Sequence, residues 1–271
     1  MKLILNEKQM LDNSLENGYI DKDKPSNTIR TLVKHYFSIG MNKPQIYDSV
    51  DKFFELNFPD YNKIKWQKSF EGMIKYVHKT KDFELLDINK VEITENELIP
   101  IVKLNNKKLE KLAFTLLVYA KIYNQLNEKD DNWVNEEHKY IFSDAKIIVG
   151  VKDQGKMLHN LKELGLVDSS VMVNSTNIKV NYADLESPVV LIISDFRNYV
   201  YEYLKWKGEN IIKCQECEIL FYPNNNLNKY CKVCAIKVEK INHKERNREH
   251  MRKKRSVDEM NLDHNPTPAT I

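Results

Sequence analysis

The chain has 271 residues, 42% hydrophobic and 30% charged, with a formal net charge of +3; this fits about two globular domains with room for a small third. Seven Gly and eight Pro are too few for the turns of an all-β sandwich or barrel, and no apolar run approaches the roughly 18 residues of a bilayer span. The start Met1-Lys2-Leu3-Ile4-Leu5-Asn6-Glu7 has too short an apolar stretch for a secretory signal, so a cytoplasmic, mainly α protein with a minor β component is expected.

Residues 1–105 read as an N-terminal helical domain. Ser26 or Asn27 can cap a helix carrying Ile29, Leu32, Val33, Tyr36 and Phe37, closed by Gly40. Asn42 can cap the next, with Ile46, Val50, Phe53 and Phe54 turned inward. In a third, Trp66, Phe70, Met73, Ile74 and Val77 recur at helical spacing, which marks these aromatics as core rather than a base-stacking platform. Thr94-Glu95-Asn96-Glu97 fits a capping box that opens a short helix. The lysines of this half are interleaved with acids, as on an ordinary solvated surface.

Residues 106–186 carry a different pattern. Leu109, Leu112, Ala113, Leu116, Ala120 and Tyr123 share one helical face, and a polar linker follows from Asn127 to Asn135. Ser143 can cap a second helix bearing Ala145, Ile147, Ile148 and Val149, ended by Gly150. Asp153 can cap a third with Met157, Leu158, Leu161 and Leu164 inward, and Gly165 suits its left-handed end. Leu166-Val167 then begins an extended segment, with Val171, Val173, Ile178 and Val180 around the turn-like Asn174-Ser175-Thr176-Asn177. Three helices and a β-hairpin, with the run Leu161-Lys162-Glu163-Leu164-Gly165-Leu166-Val167, resemble a winged helix-turn-helix. That resemblance implies a third helix that reads DNA through its outward Lys152, Lys156 and His159, with Lys179 on the wing reaching a neighbouring phosphate. Glu163 on the same face would repel phosphate, and such domains also serve protein contacts, so both partners stay open.

Residues 187–210 read as a connection. Ser187-Pro188-Val189-Val190-Leu191-Ile192-Ile193 is a short buried strand or the start of a helix, and Asp195 to Lys207 an amphipathic helix. Tyr199, Tyr201 and Trp206 can stack on bases, but packing explains them as well.

All four cysteines lie in the next segment: Cys214-x-x-Cys217, thirteen residues, then Cys231-x-x-Cys234. Two residues between thiolates let a tight turn aim both sulfurs at one ion, and two such turns complete a tetrahedral S₄ site suited to structural Zn²⁺. Disulfides fit a reducing compartment poorly, and iron–sulfur clusters usually show other spacings. The stretch from Glu218 to Tyr230 reads as a hairpin around an Asn-rich turn, and a helix follows Cys234 with Ala235, Val238 and Ile241 on one side. Cys-x-x-Cys-x-x-x-Phe, then Lys-Tyr-Cys-x-x-Cys and a Lys/Arg-rich helix resemble treble-clef zinc fingers, in particular the tails of DNA-binding proteins of phages and mobile elements. The resemblance covers about residues 211 to 256. Some treble clefs are nucleases, but no Asp-His pair stands in this segment to act as general base.

From Lys232 to Arg255, ten basic residues against three acids leave +7, so the rest of the chain carries −4. Lys244, Arg246, Arg248, Arg252, Lys253, Lys254 and Arg255 form the dense part of this arm. Phosphate neutralisation by such an arm releases counterions, giving salt-sensitive affinity with weak sequence preference. A solvated, solubilising helix is the bland alternative. Residues 257–271, with Asn265-Pro266-Thr267-Pro268, read as a disordered tail.

No phosphate-binding glycine loop, nucleophile elbow or His-x-x-x-His pair occurs. The expectation is a non-enzymatic DNA-binding regulator or replication-associated protein of a phage or mobile element. An inhibitor or adaptor acting on a host or defence nucleoprotein complex, or an RNA-binding protein, remains the alternative.

Overall fold

The computed structural model describes residues 5–22, 24–59, 61–171, 176–183, 186–225 and 227–262, with the backbone alone for 250 and 254–262. Among these the protein is mainly helical with small sheets, as expected, and it divides into two units, 1–194 and 195–271. No helix among the described residues is long and apolar enough to cross a membrane.

The first unit opens with four helices, α1 (Glu7–Asn17), α2 (Pro25–Ser38), α3 (Lys43–Asn57) and α4 (Lys63–Thr80). Asn6, Asn42 and Asn62 each accept a backbone N–H of the following first turn, which satisfies donors that a helix start leaves orphaned. Helix α2 begins earlier than the expected Ser26 or Asn27 cap: Lys24 holds that position, because the fixed φ of Pro25 is already helical. Gly18, at φ 64°, ends α1 so close to α3 that a Cβ there would meet the side chain of Asn57; glycine is required on both counts. Leu32, Val33, Ile46, Val50, Phe54, Phe70 and Val77 lose all exposure in the core, and Phe58 and Trp66 pack around Phe54. A charged cluster lies beside it. The buried Lys34 ammonium donates to Glu7 Oε2 at 3.0 Å and to the Glu84 carbonyl at 2.9 Å, and it lies 2.8 Å from Asp82 Oδ1. Arg30 reinforces the cluster through Asp82 at 2.9 Å.

Strand β1 (Val91–Thr94) leads through the capping box of Thr94 and Glu97 into α5 (Glu95–Val102), as anticipated. Helix α6 (Lys107–Asn127) is the axis of this half: every residue from Leu112 to Ile122 is buried, so it is surrounded rather than amphipathic. Against it pack β2 (Trp133–Val134), α7 (His138–Asp144), α8 (Val151–Glu163) and β4 (Ile178–Val180), and β3 (Val167–Ser169) pairs with β4. The three strands form an antiparallel sheet in the order β2-β4-β3.

Two boundaries around the α7–α8 junction also differ from expectation. Helix α7 precedes Ser143's supposed cap position and stops at Asp144, because Lys146 takes a left-handed φ of 53°. Gly150 starts α8 instead of ending α7, at an extended ψ of 161°, and Asp153 lies in the first turn. Gly165 does hold the left-handed end of α8, at φ 72°. The sheet strand begins at Val167, and Val171 is fully exposed; Val173 and, of the expected turn, Asn174 and Ser175 lie outside the described residues.

Strand β5 (Val189–Ile193) is a strand, as one of the two readings had it, but not a buried one. It pairs antiparallel with β1, while Val189, Val190 and Ile192 stay exposed. The second unit holds α9 (Val200–Trp206), β6 (Ile212–Lys213), β7 (Leu220–Phe221) and α10 (Lys232–Leu262). The amphipathic helix expected from Asp195 is thus confined to Val200–Trp206. Of the expected tail, residues 257–262 continue α10, and 263–271 lie outside the described residues.

Candidate metal centre

Strand β6 runs into Cys214-Gln215-Glu216-Cys217, where Glu218 turns left-handed at φ 61° and sends the chain back along β7. The Glu218 N–H donates to the Cys214 carbonyl at 2.9 Å and the Cys214 N–H to the Ile219 carbonyl at 3.0 Å. The hairpin therefore closes around the first cysteine pair. The sequence places it between Glu218 and Tyr230, but that stretch is a loop after Phe221, because the tight turn of the cysteines already reverses the chain. The loop is tied back by Gln215, whose N–H reaches the Lys229 carbonyl at 3.0 Å.

Cys231 immediately precedes α10 and Cys234 sits in its first turn. The Cys231 N–H points at Cys214 Sγ, 3.3 Å away. All four Sγ atoms lie within 4.8 Å of one another, and Cys217 and Cys231 approach to 3.8 Å. A tetrahedral shell with metal–sulfur bonds of about 2.3 Å needs sulfurs about 3.8 Å apart, far longer than the roughly 2.05 Å of a disulfide. The cluster fits one metal ion with four sulfur ligands. Cys214 and Cys234 are buried and the other two half-buried. Burial pushes the Cys214 thiol up, but backbone N–H groups of Cys231, Cys217 and Glu216 outweigh it and bring the thiol down to about 6. Burial, then hydrogen bonding with the other three sulfurs, pushes Cys234 up to about 12. The N-terminal end of α10 faces the cluster and favours its negative charge.

Residues that sequence reasoning passed over support this site. Asn198 donates its side-chain N–H to the Leu220 carbonyl at 2.8 Å, fastening the segment before α9 to β7. Tyr201 meets Tyr222 edge-on at 5.3 Å. Nothing in the spacing of Asn198 points to a backbone partner 22 positions away. The aromatics considered for base stacking are used in packing: Tyr199 is buried, and Trp206 stacks on the buried Tyr203.

The candidate nucleic-acid residues fall into two sets, one in each unit. Lys244, Arg246, Arg248, Arg252 and Lys253 are exposed along α10, while of Lys254 and Arg255 only the backbone is described. Lys152, Lys156 and His159 are exposed on α8, but Lys156 lies 3.4 Å from Asp153 and His159 3.9 Å from Glu163. Lys179 is half-buried at the centre of β4, opposite Trp133 and Asp168. Lys237 and Lys240, exposed on α10, belong with the first set on charge although the sequence reading stopped at Lys244.

Comparison with known proteins finds no match: no protein family, no curated protein and no solved structure matches the chain.

Proposed function

We propose that the protein is a non-enzymatic, zinc-containing nucleic-acid-binding protein of the cytoplasm, acting on DNA in preference to RNA. The observation that carries this reading is α10: a 31-residue helix whose described side chains are nearly all exposed, rooted at one end in the cysteine cluster and rich in Lys and Arg. A helix whose apolar residues are concentrated near its root, up to Ile241, gains little from burial along the rest of its length, and a metal-bound root gives it a rigid base. Cys214, Cys217, Cys231 and Cys234 would hold Zn²⁺ as a structural ion, since four sulfurs leave no open position for a substrate. The knuckle, loop and helix make a treble-clef-like finger. The order α6-β2-α7-α8-β3-β4 supports a winged helix-turn-helix with α8 as the reading element, contributing limited base contact. A regulator or replication factor of a phage or mobile element is the role that fits both modules.

Titration of the full-length protein against labelled duplex DNA and duplex RNA over a range of salt tests this. The expected result is affinity that falls linearly on logarithmic axes as salt rises, with DNA ahead of RNA. Absence of binding at low salt overturns it.

A second reading has its own observation. On α8 two of the three candidate contact residues, Lys156 and His159, have acidic neighbours, and Ile148 and Val151 beside its start are 99% and 84% exposed. Such a face suits an adaptor or inhibitor that docks on a host or defence complex. Crosslinking with and without nuclease separates the two: a partner retained after nuclease favours the adaptor.

A further inference from the structure

The cations of α10 are not spread evenly. At about 100° per residue, Lys237, Lys240, Lys244, Arg248 and Arg252 fall within an arc of about 120°. Glu239, Glu245 and Glu249 lie outside that arc, together with Arg246 and Lys253. Lys253 is paired with Glu249 at 3.0 Å, and Arg246 folds its Nε back onto the Asn242 carbonyl at 3.3 Å. All five residues of the row are exposed, and among the described residues none has an ion-pair partner. The row advances in steps of three or four residues, about 4.5 to 6 Å, and covers about 22 Å of a helix that rises 1.5 Å per residue.

Resting on the nucleic-acid reading above, we propose that α10 is a one-sided rail that lies along the phosphate backbone of a duplex, held by Lys237, Lys240, Lys244, Arg248 and Arg252. A helix of about 10–12 Å diameter seated in a major groove about 12 Å wide meets phosphates on both walls. That seat would press Glu239, Glu245 and Glu249 against one wall. Lying on a single backbone keeps the acids in solvent and the row on phosphate. The duplex is favoured over a single strand because single-strand binders stack bases on aromatic rings, and α10 contains no Phe, Tyr or Trp. The contact reads no base edges, so it adds affinity without sequence preference.

Two charge-matched variants of the full-length protein test the rail: Arg248→Ala with Arg252→Ala on the row, and Arg246→Ala with Lys253→Ala off it. Each removes two positive charges from an exposed helix and adds good helix formers, and far-UV circular dichroism checks that both stay folded. Binding to labelled mixed-sequence duplexes is measured by anisotropy across salt. Each lost phosphate contact removes about 0.9 from the logarithmic salt slope, so the row variant drops by about 1.8, equally for unrelated sequences, while the off-row variant keeps the parent slope. Equal losses in both variants, or an unchanged slope in the row variant, overturn the rail. A parent protein that binds no duplex at any salt instead overturns the underlying nucleic-acid reading.

Discussion

Replacing Lys34 with methionine removes the charge at the centre of the first unit's ion cluster. The side chain of Lys34 has no exposure and that of Glu7 only 4%. Its ammonium has three partners, Glu7 at 3.0 Å, Asp82 at 2.8 Å and the Glu84 carbonyl at 2.9 Å, so all three protons are used. Methionine leaves the Glu7 carboxylate buried with, among the described residues, only the Leu86 N–H, at 3.0 Å, and a distant Arg30 Nε at 3.8 Å. Removing one member of a buried ion pair costs about 3–5 kcal/mol. Arg30 still faces Asp82, which is 34% exposed, so the lower end, about 3 kcal/mol, applies. For a unit of this size that lowers Tm by about 6–12 °C. Thermal and urea unfolding followed by far-UV circular dichroism and tryptophan fluorescence measure both; Trp66, one of three tryptophans, packs against Phe54 and Phe58 in the same bundle. Pairing Lys34→Met with Glu7→Gln should recover part of the loss, because the amide oxygen still accepts from Leu86 and no buried charge remains. A Lys34→Met protein within about 1 kcal/mol of the parent would refute the reasoning, since a broken buried pair cannot cost so little.

Three further outcomes are expected. Burial pushes the Asp82 carboxyl up, but hydrogen bonds from Lys34 and Arg30 outweigh this and hold it below its ordinary range. Its stabilisation is therefore present above the unfolded value of about 3.9 and lost as pH falls below it; Asp82→Asn should flatten the acid limb of stability against pH, and an unaltered limb would count against the assignment. Tyr119→Phe deletes the buried hydroxyl that donates to Asp144 Oδ2 at 2.7 Å, costing about 1.5–3 kcal/mol in thermal unfolding; a loss within error would show that this bond does not tie α6 to α7. On the proposed zinc site, the parent is expected to carry one zinc ion per chain, and Cys217→Ser to lower that content and loosen the second unit in hydrogen exchange. Parent protein without metal, or a variant with unchanged content, would contradict the four-sulfur site.

The legible parts were those governed by local rules. Phe70, Ile74 and Val77 stand at helical spacing and all three are buried in α4. The capping box at Thr94 and Glu97 and the left-handed Gly165 follow from side chains within four residues of each other. Helix α1 escaped notice because its sequence is polar and one of its buried residues is Glu7, whose reason for burial lies 27 positions away at Lys34. The α7–α8 junction was misplaced because glycine serves either end of a helix. Ala145, Ile147, Ile148 and Val149 read as one helical face, yet Ile148 is 99% exposed.

The sequence by itself determined the candidate metal ligands and the basic arm. Four cysteines in two pairs need only two tight turns to converge, and a run of Lys and Arg is charged in any conformation. Tertiary structure alone decided that β1 takes β5 as its partner, with Val91 opposite Ile193, and that Lys34 joins α1 to the segment that follows α4. Each of these joins groups whose pairing no local period encodes, so it is settled only when the chain packs. Even the +7 of the arm acquired a direction in this way, because the helical twist puts five of its cations in one row and its three acids outside it.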